Sequence, residues 1–111
     1  YLAIEALFRS QREPTAILAL SDQLALGAIE WMTGQGISVP EEVSVVGFDD
    51  FQIASSVWPP LTTVRTPARE IGRMAGEKLI GLDAAEDHTR EAAPTTSPAL
   101  VVRDSSGPAP R

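Results

Sequence analysis

Two pairs of adjacent polar residues, each following an apolar run, are the candidates for chemistry. Ser21-Asp22 follows the run TAILAL, and Asp49-Asp50 follows the run SVVGF. Short apolar runs of this kind predict buried parallel strands. Open α/β sheets bind ligands beyond the carboxyl ends of their strands, so both pairs would face one ligand. Ionised carboxylates there suit polyhydroxylated molecules, because they accept hydroxyl hydrogen bonds in a fixed geometry.

A purely structural role is the alternative for two of these carboxylates. Asp22 could cap the helix that it opens, and Asp50 could cap the turn that follows the second strand. The sequence leaves both interpretations open. Asp49 ends the strand itself, so it is the stronger ligand candidate of the three.

The composition argues against several kinds of site. The 111 residues include no cysteine, which excludes disulfides, thiolate chemistry and cysteine-based zinc sites. The net charge of −6 argues against direct nucleic-acid binding by this segment. A hydrolytic triad needs a positioned histidine, and His88 lies in a low-complexity stretch. Receiver domains hold Mg²⁺ with a strand-end aspartate pair, but they also use a strand-end lysine, whereas Lys78 falls within a helical pattern. We therefore predict neither an enzyme nor a bound cofactor or metal.

The hydrophobic pattern predicts alternating helices and strands. Helices are predicted over residues 2–12, 23–35 and 67–82, and strands over residues 15–20, 43–48, 61–64 and 99–103. Residues 51–58 should form a short turn of helix, and residues 83–98 a mobile loop. This order predicts an α/β fold, with a parallel sheet in a three-layer sandwich.

The domain boundaries follow from the same pattern. Residues 1–103 are expected to form one domain, and the Ser/Gly/Pro-rich residues 104–111 a disordered tail. So few strands would leave apolar sheet edges uncovered, so the chain is expected to be an incomplete fragment of a larger domain. Its start at Tyr1, without a methionine, leads to the same expectation.

Two surface features could mediate contacts. In the second helix Leu26 and Glu30 share a face that mixes apolar and polar groups, and Val57-Trp58 precedes two prolines. Such a surface is typical of a subunit contact, although an ordinary amphipathic surface has the same pattern. Three arginines at positions 65, 69 and 73 are predicted to line a solvated helix face with nearby glutamates.

Several ordered motifs resemble the LacI/GalR family of bacterial transcriptional regulators. They are PTAI at 14–17, SDQLALGA at 21–28, VPEEVSVVGFDD at 39–50, PPLTTVR at 59–65 and LVVRDS at 100–105. The resemblance implies the C-terminal portion of an effector-binding region with the type I periplasmic-binding-protein-like fold. It also implies a cytoplasmic, dimeric repressor whose effector is a sugar or a related molecule.

The resemblance also implies roles for particular residues. Asp49 matches the effector-contacting aspartate of the family, Gln23 matches a position that touches effector in some members, and Ser21 stands where many members have asparagine. Together with Asp22 these are the predicted effector-binding residues. The implied dimer interface consists of Leu26, Ile29, Glu30, Ser55, Val57 and Trp58.

The family's DNA-binding helix-turn-helix has no counterpart in this sequence. Operator DNA is therefore expected to be bound only through a separate N-terminal domain, and this chain alone is expected to bind neither operator nor effector usefully. An extracytoplasmic sugar-binding protein of a transport system shares the fold and is the alternative. The motif LTTV at residues 61–64 favours the regulator over the transport protein.

Overall fold

The computed structural model describes residues 2–10, 14–84 and 96–109, without the side chains of residues 82–84. Its elements are α1 (Leu2–Arg9), β1 (Ala16–Leu18), α2 (Asp22–Gly34), β2 (Ser44–Asp49), a 3-10 helix (Gln52–Ser55), β3 (Thr62–Arg65), α3 (Ala68–Ala84) and β4 (Ala99–Val101). The type and order of the predicted elements are confirmed, with ends that differ by up to three residues. Most of the predicted loop over 83–98, including His88, lies outside the described residues.

The four strands form one sheet in the order β1-β2-β3-β4. The first three are parallel, with Leu18 paired to Val46 and Val46 to Thr62. β4 runs antiparallel to β3, with Arg65 paired to Ala99. The prediction of a parallel sheet is therefore wrong for this last strand, and an antiparallel edge strand on a parallel sheet is common in α/β folds. The carboxyl ends of β1, β2 and β3 lie at one edge of the sheet.

Local sequence sets both ends of α2. The Ser21 side chain accepts a hydrogen bond from the Leu24 amide at 3.3 Å and so caps the N-terminus of the helix. Gly36 follows the helix with a φ of +78°, a left-handed conformation that glycine adopts without strain. The helix thus begins directly at the sheet edge that carries the candidate site.

The core lies between α2 and the sheet. α2 buries Ala25, Ala28, Ile29 and Met32, and the sheet side contributes Val43, Val45 and Leu61. Ile29 is only 5% exposed. Its side chain packs inside the chain, which leaves it little surface for the predicted dimer interface. Leu24 is largely exposed, since the buried face of α2 is centred on Ala25.

The segment after β4 belongs to the fold. Ser105 is fully buried, and its hydroxyl donates to the Val45 carbonyl at 2.6 Å. The same oxygen accepts from the Thr62 amide at 2.8 Å, and the Val45 amide donates to the Ser105 carbonyl at 2.7 Å. Gly107 then donates its amide to the Ser44 hydroxyl at 3.0 Å. The prediction that a disordered tail begins at residue 104 is wrong, because these bonds join the segment to β2 and β3.

The chain divides into two compact units, residues 1–65 with 99–111 and residues 66–98. The second contains α3, on which Arg73 hydrogen-bonds both carboxylate oxygens of Glu77 at 2.7 and 2.8 Å, as the charge pattern predicts. Arg65 ends β3, so it does not belong to the predicted arginine face of the helix. Among the helices described, none has the length and apolarity to cross a membrane.

Candidate functional site

The backbone at the end of β2 adopts an unusual conformation. Asp49 has a φ of +109° and Asp50 a φ of +57°. Side-chain-bearing residues rarely adopt positive φ, and each instance costs on the order of 1–3 kcal/mol, which contacts in the surrounding structure must offset. This turn gives the two adjacent aspartates different surroundings.

Asp50 is fixed by two arginines. Its side chain is 7% exposed, with Oδ1 at 2.6 Å from Arg103 Nη2 and Oδ2 at 2.6 Å from Arg65 Nε. Burial raises the pKa of Asp50, but the hydrogen bonds from Arg103 and then Arg65 outweigh it, so the pKa lies below its ordinary value. Both carboxylate oxygens are occupied. Asp50 therefore pairs with arginines instead of capping the turn that follows it.

Asp22 is fully buried and bonded on both sides. Its Oδ1 accepts from the Thr63 hydroxyl at 2.5 Å, and its Oδ2 accepts from the Phe51 amide at 2.8 Å. These bonds join the start of α2 to β3 and to the turn after β2. The geometry favours this bracing role over the predicted contact with effector. Asp22 does not cap α2 either, which was the alternative role, since Ser21 caps this helix.

Gly47 allows Asp22 to lie this close to β2. A Cβ on Gly47 would overlap Asp22 Oδ1 and would lie 2.9 Å from Leu61 Cδ2. Only a residue without a side chain leaves room for both neighbours. The single glycine in the run SVVGF is thus explained by the carboxylate beside it.

Asp49 differs from Asp50 and Asp22. Its side chain is half-buried, and within the described residues its carboxylate has no hydrogen-bond or ion-pair partner. Ser21 lies three residues beyond Leu18 and Asp49 three beyond Val46, and Leu18 and Val46 are paired across β1 and β2. Both residues therefore belong to the same edge of the sheet. Gln23, one turn into α2, is exposed.

These three side chains offer a defined set of hydrogen-bonding groups. The Asp49 carboxylate accepts from hydroxyl or amino groups, the Gln23 amide both donates and accepts, and the Ser21 hydroxyl keeps its proton to donate while capping α2. Within the described ranges no cluster of three or more histidine, aspartate or glutamate side chains is arranged to hold a metal ion. The arrangement suits reversible binding of a polar organic molecule.

The predicted subunit surface lies on α2 and on the segment that follows β2. Trp58 is 86% exposed, and the neighbouring Phe51 and Ile53 are about half-exposed. Ser55 and Glu30 are exposed, whereas Val57 and Leu26 are half-buried against the core. Apart from Ile29, the predicted interface residues therefore keep some surface for a partner. Their role stays a prediction.

Sequence reasoning missed three residues with long-range contacts, two of them to the aspartates of this site and one to β2 and β3. They are Thr63, Arg103 and Ser105, each of which contacts residues more than 40 positions away in the chain. No local pattern marks these contacts. The one signal in the sequence was the motif LVVRDS, which places a polar run directly after a strand.

Family comparison matches residues 2–106 to the periplasmic binding protein-like domain. The HTH-type transcriptional repressor PurR of Vibrio cholerae serotype O1 (strain M66-2) is 35% identical over 103 residues, which is 93% of this chain and 30% of that protein. The arabinose metabolism transcriptional repressor of Geobacillus stearothermophilus is 39% identical over 106 residues, 95% of this chain and 29% of that protein. The chain thus spans less than a third of either relative.

Solved structures similar to this chain also include transcriptional regulators. A lac repressor dimer bound to operator and the anti-inducer ONPF superposes with a TM-score of 0.86 at 30% identity, covering 96% of this chain and 36% of that one. A LacI family transcriptional regulator from Arthrobacter sp. FB24, in complex with lactose, superposes with a TM-score of 0.82 at 33% identity. That match covers 96% of this chain and 40% of that one.

Proposed function

Because the chain belongs to the periplasmic-binding-protein-like domain family, in its LacI/GalR branch, we propose that it is the C-terminal part of the effector-binding core of a bacterial transcriptional repressor. The proposal rests mainly on the state of the Asp49 side chain. Its carboxylate is free among the described residues, while both neighbouring aspartates are used by the fold. A binding function, without catalysis, is the role proposed for this site.

The proposed effector is a carbohydrate. Asp49 accepts hydrogen bonds from sugar hydroxyls, and Ser21 and Gln23 add polar contacts from the start of α2. The names of two similar proteins support this class, since one represses arabinose metabolism and another was solved with lactose. Effector binding would change operator affinity by coupling two separate sites.

The proposed partner is a second copy of the protein. The exposed Trp58, with Ser55 and the half-buried Val57 beside it, supports a homodimer interface, because aromatic residues contribute strongly to such contacts. Leu26 and Glu30 on α2 would extend the surface. Operator DNA would be bound through an N-terminal domain, consistent with the acidic charge of this segment, and the repressor would act in the cytoplasm.

DNA capture with the full-length protein tests this function. Genomic fragments retained by the purified protein are sequenced, and retention is repeated with arabinose or lactose in excess. We expect a small set of specific fragments whose retention changes with one sugar. Sugar binding without any DNA retention, by a protein that is exported with a cleaved leader, would instead support the transport receptor.

A further inference from the structure

The residues on either side of Asp49 are anchored, although Asp49 itself is not. Phe48, before it, pairs with Val64 of β3. Asp50, after it, is bonded to Arg103 and Arg65 at 2.6 Å each. The backbone at Asp49 is therefore fixed from both sides while its carboxylate stays available.

The conformation of Asp49 needs such anchors. A φ of +109° lies outside the regions that non-glycine residues favour, so an unrestrained strand end would relax toward extended backbone. That relaxation would rotate the Asp49 side chain away from its present direction. The bonds made by Asp50 oppose the rotation, because moving Asp50 would break two ion pairs.

Arg103 is the stronger of the two anchors. Its Nη2 donates to Asp50 Oδ1, and its Nη1 donates to the Leu61 carbonyl at 2.7 Å. The side chain is 17% exposed, against 59% for Arg65. A guanidinium can hold two acceptors in one plane, which a lysine ammonium cannot do with the same geometry. Arg103 thus ties the end of β2 to the residue that precedes β3.

We propose that Arg103 and Arg65, acting through Asp50, are positioning residues that set the direction of the effector-binding carboxylate of Asp49. This inference rests on the proposed function of Asp49 and deepens it. The arginines themselves do not touch the effector. Their contribution is to keep the strained turn in place, so that binding does not have to reorder it.

Calorimetric titration of the full-length protein with arabinose and with lactose tests the proposal. We expect Asp50→Asn and Arg103→Lys to weaken the binding of the responsive sugar by about 10- to 100-fold, the effect known for residues that orient metal ligands. Arg65→Gln should weaken it less. Glu5→Gln is the matched control, since it removes a carboxylate from an exposed ion pair with Arg9, and it should leave affinity unchanged.

Two further readouts separate positioning from a general loss of stability. In an Asp49→Asn background, adding Asp50→Asn should cost little more affinity, because Asp50 acts only through Asp49. Crystal structures of the wild type and of Asp50→Asn should show a positive φ at Asp49 in the first and a negative φ in the second. If Asp50→Asn fails to fold, Arg65→Gln takes its place in both measurements, since the exposed Arg65 side chain contributes little to packing.

The outcomes separate this proposal from the function on which it rests. If the wild type binds neither sugar, the carbohydrate proposal fails in its tested form, and the φ of Asp49 in the two crystal structures decides the positioning role. If the wild type binds one sugar, and Asp50→Asn binds it equally well with an unchanged φ at Asp49, the positioning role is overturned while the effector site stands. The positioning role would also be overturned if the losses of binding free energy caused by Asp49→Asn and by Asp50→Asn added in full in the double variant.

Discussion

The Thr63 hydroxyl donates a 2.5 Å hydrogen bond to Asp22 Oδ1 between two fully buried side chains that are 41 positions apart in the chain. Thr63 lies in β3 and Asp22 is the first residue of α2. The bond therefore holds the start of the helix against the sheet at the edge that carries the proposed effector site. Together with the bond from the Phe51 amide to Oδ2, it occupies both oxygens of a buried carboxylate at a typical ligand position.

Replacing Thr63 by valine should destabilise the protein. The change keeps the shape of the side chain but leaves Asp22 Oδ1 without its donor in a buried place, which costs about 1–3 kcal/mol in the free energy of unfolding. Urea denaturation of the full-length protein measures this. Thr33→Val, on the exposed side of α2, is the control and should change stability by less than about 0.5 kcal/mol. Equal effects of the two variants would contradict the bracing role of Asp22.

Gly47→Ala should also destabilise the protein. The added methyl group would overlap Asp22 Oδ1 and press on Leu61 Cδ2, so the strand or the carboxylate must move, at a cost of about 1–3 kcal/mol. Thermal unfolding of the variant measures the loss. Gly34→Ala serves as its control, because a Cβ there meets nothing within 4 Å. A Gly47 variant as stable as the Gly34 variant would show that the space at Gly47 is not needed.

The elements of the fold could be predicted because their signals are local. The run SVVGF predicts a strand, and the hydrophobic spacing after Ser21-Asp22 predicts α2. Both elements are found. The buried position of Ser105 could not be predicted. Its surroundings are rich in serine, glycine and proline, and its partner Val45 is 60 positions away. The residues next to Ser105 in the sequence carry no information about such a distant partner.

The candidate site was predicted only in part for the same reason. The sequence places Asp22, Asp49 and Asp50 at the correct sheet edge, since strand ends are local features. It cannot distinguish them, because the difference lies in which carboxylate meets Thr63, Arg103 or no described partner. The family resemblance likewise implied that Ile29 belongs to a dimer interface, whereas the packing of α2 on the sheet buries its side chain within the chain.

Asp50 predicts an acid-sensitive contribution to stability. Its folded-state pKa lies below that of the unfolded chain, so the folded protein favours the ionised form. The contribution is therefore complete above the unfolded pKa, near 4, and is lost as the pH falls through the lower folded pKa. We expect the stability difference between wild type and Asp50→Asn to shrink between neutral pH and acid. Urea titrations at several pH values measure this difference in stability. A difference that grew as the pH fell would contradict a lowered folded-state pKa of Asp50.

Trp58→Ser should weaken the dimer without unfolding the protein. An exposed aromatic residue at the centre of an interface contributes about 2 kcal/mol or more, so the dissociation constant should rise roughly 30-fold. Sedimentation of the full-length protein over a concentration series measures this. Leu100→Ser, which removes a similarly exposed apolar side chain from β4, should leave dimerisation unchanged. Unaltered dimerisation of the Trp58 variant would place the interface elsewhere.

The most direct test of the effector site is sugar binding by the full-length Asp49→Asn variant beside the wild type, measured by calorimetry with arabinose and lactose. Asp49 is half-buried, and its carboxylate has no described partner to lose, so the substitution should leave the thermal midpoint nearly unchanged. We predict at least a tenfold loss of affinity for the sugar that the wild type binds, about the 1.4 kcal/mol expected for one charged hydrogen bond. Binding as tight as that of the wild type would show that Asp49 does not contact the effector.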